Sequence, residues 1–235
     1  MRFSDSIKRA MTVALAGGML VTLPSVARAE EPAAGTLAVT YAACDPDGTT
    51  STDAALATRL NGMVDDDLAG NMSAYRVSCA REVIRAVRER GMPRRAAVIA
   101  ITTVIVETRL QNIVDKVDHT SVGLFQQQDP WGSEANRLNP IWATNAFLNA
   151  MVDRYPNNSW QDTAIGTVCQ AVQRSDYGER YPLHVSAATT IVDELWDYAF
   201  GRTYDSFNGD ARADMIVHAG TEVSVRKGGS GGGFD

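Results

Sequence analysis

The sequence predicts a mainly α protein with a short β-rich C-terminal tail, and three observations carry that prediction. Between Ser73 and Arg90, residues Cys79, Val83, Ile84 and Val87 form an apolar stripe at helical spacing. A nearly unbroken apolar run, Ala96–Val106, follows Pro93, a residue tolerated where a helix begins. After Arg202 the helical period gives way to alternation in Met215–Val217 and Val223–Val225 among turn residues.

The first 29 residues read as a secretory signal. Lys8 and Arg9 precede an apolar stretch from Ala10 to Leu23, and Ala27-Arg28-Ala29 is a small-x-small cleavage site. About 14 apolar residues fall short of the roughly 20 that a spanning helix needs, and no later segment is long and apolar enough to span. The expected mature protein is therefore secreted, with no membrane segment after cleavage. Loss of Arg2, Lys8, Arg9 and Arg28 against Asp5 alone takes the net charge from −6 to −9. Such acidity argues against nucleic acid as a partner.

Residues 30–71 read as a flexible N-terminal segment, rich in Ala, Gly, Thr, Asp and Pro up to residue 50, with a weak helix after Thr52-Asp53. Ser73 caps the first strong helix, which Gly91 ends. The apolar run after Pro93 would also suit a buried strand, but its length and proline start favour a central helix ending at Thr108–Leu110. Residues 111–138 form a long polar, glycine-containing segment of the kind a compact domain keeps for function. Asn139-Pro140 opens a helix with Phe147 and Met151 inward. Ser159–Asp162 has the form of a capping box for a helix reaching Gln173. A last helix runs from beyond Tyr181-Pro182 to about Phe200, with Ile191, Leu195 and Trp196 inward. Residues 72–202 thus form one helical domain, and residues 203–235 a separate tail.

Export permits disulfides among Cys44, Cys79 and Cys169. Cys79 and Cys169 both fall in predicted core helices and are the preferred pair, the alternative being small buried hydrophobes. His119, His184 and His218 are scattered and no CxxC spacing occurs, so no zinc site or other cofactor is expected.

Glu107 is the first charge after Arg95, at the end of the apolar run. Burial disfavours the charged form of a carboxylate and raises its pKa, as a general acid requires near neutral pH. The bland alternative is a helix-end carboxylate paired with Arg109. Sixteen positions later comes Gly123-Leu124-Phe125-Gln126-Gln127.

With these pieces the helical domain resembles the lysozyme-like domain of lytic transglycosylases, in the divergent form of secreted actinobacterial proteins. Glu107-Thr108 stands where that family has its catalytic Glu-Ser. Ser121-Val122-Gly123-Leu124-Phe125-Gln126 matches its Gly-Leu-Met-Gln motif, in the variant with Asp118-His119 before it and Gln127 after it. Ala171-Val172-Gln173, followed by Tyr181, takes the place of its Ala-Tyr-Asn stretch and later tyrosine. The likeness covers roughly residues 75–200.

The resemblance implies peptidoglycan glycan strands as the partner and cleavage of the bond between N-acetylmuramic acid and N-acetylglucosamine, by a monomer. It makes Glu107 the single acid/base, with Thr108, Gly123, Gln126, Gln173 and Tyr181 binding or positioning substrate. Two departures stand out. Thr108 replaces serine but keeps a hydroxyl, and Val172-Gln173 replaces Tyr-Asn and removes an aromatic. Asp118 is a candidate second carboxylate that would activate water in a lysozyme-type hydrolase; otherwise Asp118 and His119 stabilise the loop. A non-catalytic glycan-binding module with the same cleft is the remaining alternative.

The tail resembles a partial FG-GAP or VCBS-type repeat, whose alternating oxygen ligands hold calcium. Asn208, Asp210 and Asp214 match and Ser206 does not. The segment amounts to less than one blade, a truncated repeat or a remnant.

Overall fold

The computed structural model describes residues 39–199 apart from 66, 117 and 176, together with two strands near the C-terminus. The described part is mainly helical. The signal-like segment, most of the tail and its calcium candidates Asn208, Asp210 and Asp214 lie outside the described residues. Of the tail, β1 (Met215–Ala219) and β2 (Glu222–Arg226) pair antiparallel, with Met215 opposite Arg226 and Ala219 opposite Glu222.

Local capping sets the helix starts. In α1 (Ser51–Leu60), Thr50 and Asp53 form a reciprocal capping box. Ser73 caps α2 (Ala74–Glu89), accepting from Arg76 N. Pro93 precedes α3 (Arg94–Thr108), which buries eleven of its 15 residues, Ala96–Ile105 and Thr108. A helix apolar on every side belongs in the interior, and α3 packs against α2, α5 (Pro140–Arg154), α6 (Ile165–Gln173) and α7 (Val185–Leu195). No helix among the described residues is long and apolar enough to cross a membrane.

Four expectations are corrected. The segment read as flexible is structured from residue 39 onward. Its order comes from distant partners: Arg81 in α2 ion-pairs with Asp45 Oδ2 at 2.9 Å, Asp53 Oδ1 at 3.1 Å and Glu82 Oε1 at 2.8 Å, all buried. Charges removed from water need such partners. The disulfide joins Cys44 to Cys79, and Cys169 is a buried thiol. Cys79 lies one turn beyond Tyr75, whose hydroxyl donates to Ala42 O at 2.8 Å, so that face of α2 meets the N-terminal segment. Cys169 instead faces α3, with Sγ 3.5 Å from Ile99 O. Burial pushes the Cys169 thiol up to about 12.

The capping box at Ser159 does not form. Asn157 and Asn158 take left-handed φ of 58°, and the chain makes a 3-10 turn, Pro156–Gln161, before α6 begins at Ile165. The last helix is also shorter than expected. A 3-10 turn, Gly178–His184, precedes α7, which ends at Leu195. Trp196 is half-buried, with the Arg88 and Arg94 guanidiniums over its ring.

Candidate active site

Glu107 occupies the last turn of α3, and the chain turns sharply behind it. Arg109 and Leu110 both take left-handed φ, 52° and 61°. Each non-glycine residue so held costs on the order of 1 kcal/mol. Arg109 does not pair with Glu107; its guanidinium reaches Asp67 Oδ2 at 2.9 Å. Glu107 is half-buried.

Two residues from the C-terminal half meet this carboxylate. Tyr181, wholly buried in the 3-10 turn before α7, donates its hydroxyl to Glu107 Oε1 at 2.6 Å. Gln173, the last residue of α6, donates from Nε2 to Phe125 O at 2.8 Å, and its amide also favours the charged form of the Glu107 carboxylate. Burial raises the pKa of Glu107, and the hydrogen bond from Tyr181, then the Gln173 amide, pull it partly back. Burial and then the Glu107 charge raise that of Tyr181, which keeps the phenol protonated and donating.

The polar segment after α3 builds the facing turn. Ile113 bridges Tyr41 on one side and Gly123 on the other, and Val122 bridges Gln127. Gly123 has φ +80°, and a Cβ there would lie 2.2 Å from Arg137 O. Only glycine fits this approach. Thr108 Oγ1 lies 3.0 Å from Leu124 O and 3.1 Å from Val104 O, fixing the turn to the end of α3. Gln126, at φ 47°, folds its amide back to donate to Gly123 O at 3.0 Å. Phe125 stacks on Phe147 of α5, ring centroids 5.0 Å apart.

The structure therefore divides the sequence candidates. Glu107, Gln173 and Tyr181 converge on one carboxylate, whereas Thr108, Gly123 and Gln126 shape the turn beside it. Asp118 is elsewhere in its bonding: its side chain is 69% exposed and lies 2.6 Å from His119 Nδ1. No contact ties it to Glu107 among the described residues.

Arg137, which no sequence signal marked, is the hub of the turn. It ends a short helix, α4 (Glu134–Arg137), and is buried. It donates to Thr120 O at 2.6 Å, Gln127 O at 2.7 Å and Gly132 O at 2.9 Å, and pairs with Asp129. Its carbonyl is the atom that forbids a side chain at position 123.

A groove of about 520 Å³ adjoins the carboxylate through Gln173. The end of α5 supplies Ala150, Asp153 and Arg154, and the end of α6 supplies Val172, Gln173 and the cap residue Arg174. Trp131, in the 3-10 turn Asp129–Trp131, completes the lining. No group of three or more His, Cys, Asp or Glu residues among the described residues is arranged to hold a metal ion. No protein-family model matches this chain, and no curated protein matches it either.

Proposed function

We propose that this chain is a secreted, cell-wall-directed glycosidase, a lytic transglycosylase with a lysozyme-like helical body. It acts on the β-1,4 bond between N-acetylmuramic acid and N-acetylglucosamine. One observation carries the reading: a half-buried glutamate, its proton affinity raised by burial, hydrogen-bonded by Tyr181 and influenced by the Gln173 amide that lines an open groove. A carboxyl whose proton affinity is raised in this way is better suited than an ordinary one to give up a proton as an acid and to take one back.

The chemistry needs one such group. Glu107 protonates the glycosidic oxygen as its bond to the anomeric carbon breaks. The resulting carboxylate then removes the proton of the sugar's own 6-hydroxyl as that oxygen bonds to the same carbon. The proton lost by Glu107 is regained, and the product is an anhydro sugar. Two-carboxylate hydrolysis instead asks for a second carboxylate flanking the scissile bond. Asp118, exposed and held by His119, lends that route no support.

Purified peptidoglycan tests the reading. Wild-type protein should release soluble muropeptides, and Glu107→Gln should release none. Release by Glu107→Gln at the wild-type rate would remove Glu107 from the mechanism. One observation favours a non-catalytic binder: Val172, where the resembling family has a tyrosine, is buried and offers no ring to a sugar. That reading predicts glycan retention without product from wild type and Glu107→Gln alike.

A further inference from the structure

Thirteen arginines fall within residues 39–199, and eleven of them are engaged. Arg59, Arg81, Arg85, Arg88, Arg94, Arg109 and Arg137 pair with carboxylates. Arg76 and Arg95 donate to backbone carbonyls, Arg90 donates to Asn149, and Arg180 lies over the Tyr177 ring. The remaining two, Arg154 and Arg174, are exposed and have no side-chain partner among the described residues. Both line the groove beside Glu107.

Their placement is not accounted for by the helix ends alone. A cation at a helix C-terminus gains modestly from the dipole, which suits Arg154. Arg174, however, caps α6 at φ 57°, a left-handed position where glycine or asparagine is the unstrained choice. An arginine held there carries backbone strain without a partner to offset it. With Asp153 in the same lining, the groove keeps a surplus of one positive charge in a chain whose net charge is −6.

We propose that Arg154 and Arg174 bind carboxylates carried by substituents of the glycan, making them the residues that select an acidic strand over a neutral one. This rests on the glycosidase reading, since Gln173 joins the groove to Glu107. A guanidinium fork matches a carboxylate in two parallel hydrogen bonds, and Trp131 offers an apolar indole face to a sugar ring. The carboxylate has two chemical sources, the lactyl ether of the muramic sugar or the end of its peptide.

Binding to the full chain carrying Glu107→Gln separates recognition from turnover. The probes are N-acetylmuramic acid, its dipeptide conjugate with the lactyl group amidated, and neutral chitotriose. At least one acidic probe should bind about tenfold tighter than chitotriose, and the stronger acidic probe identifies the source. Adding Arg154→Gln and Arg174→Gln should erase that preference, with an unchanged melting temperature as the folding control. Equal binding of all three probes, binding of none, or an unaltered preference in the arginine variants would overturn the proposal. Product assays keep the two readings apart. Wild type that binds acidic probes yet releases no product sinks catalysis and spares the groove. Wild type that cleaves strands with blocked carboxyls at full rate does the reverse.

Discussion

Glu107 concentrates the opposition between stability and function at the scale of one residue. Burial raises its folded-state pKa, so the folded chain holds this proton more tightly than the unfolded chain does. Stability from this group therefore falls as pH rises through the window between the ordinary carboxylate value and the raised one. Glu107→Gln removes the penalty. Its melting temperature should exceed that of wild type at pH above that window, and the gap should close in acid below it. Tyr181→Phe removes a hydrogen bond that favours the charged carboxylate. The pKa of Glu107 should rise further, moving the basic limb of kcat/KM to higher pH while kcat falls; an unmoved limb would show that Tyr181 does not tune the acid. Gly123→Ala forces a Cβ against Arg137 O at a left-handed φ. It should cost about 2 kcal/mol or more in urea unfolding and abolish glycan cleavage.

Among the elements, what was legible depended on how local the signal was. Ser73, Pro93 and Asn139 mark the starts of α2, α3 and α5 because caps and prolines act within one turn. The box at Ser159 failed because the left-handed pair Asn157-Asn158 bends the chain first. The N-terminal segment looked unstructured because its order is non-local: Asp45, Asp53 and Cys44 are fixed by Arg81 and Cys79 in α2. In the site, Glu107 and the glycine-led turn could be read along the chain. Arg137 could not, since its value lies in three carbonyls that only the folded turn brings within reach. The Arg81 cluster also carries a test. Arg81→Ala leaves Asp45, Asp53 and Glu82 buried without their common cation, and unfolding by denaturant should show a loss of roughly 3–5 kcal/mol.

For the molecule as a whole, the disulfide and the site form one connected support. Cys44–Cys79 anchors a segment in which Tyr41 bridges Ile113, and Ile113 bridges Gly123. Opening the 35-residue separation between the cysteines should cost roughly 3–4 kcal/mol by chain entropy. Under denaturing, non-reducing conditions one thiol should titrate, that of Cys169. The central claim, a single-carboxylate cleavage by Glu107, is tested most directly by mass spectrometry of glycan products from purified peptidoglycan. The account predicts anhydro-ended muropeptides with wild type and none with Glu107→Gln. Products one water heavier, with ordinary reducing ends, would contradict it, as would anhydro products undiminished in the variant.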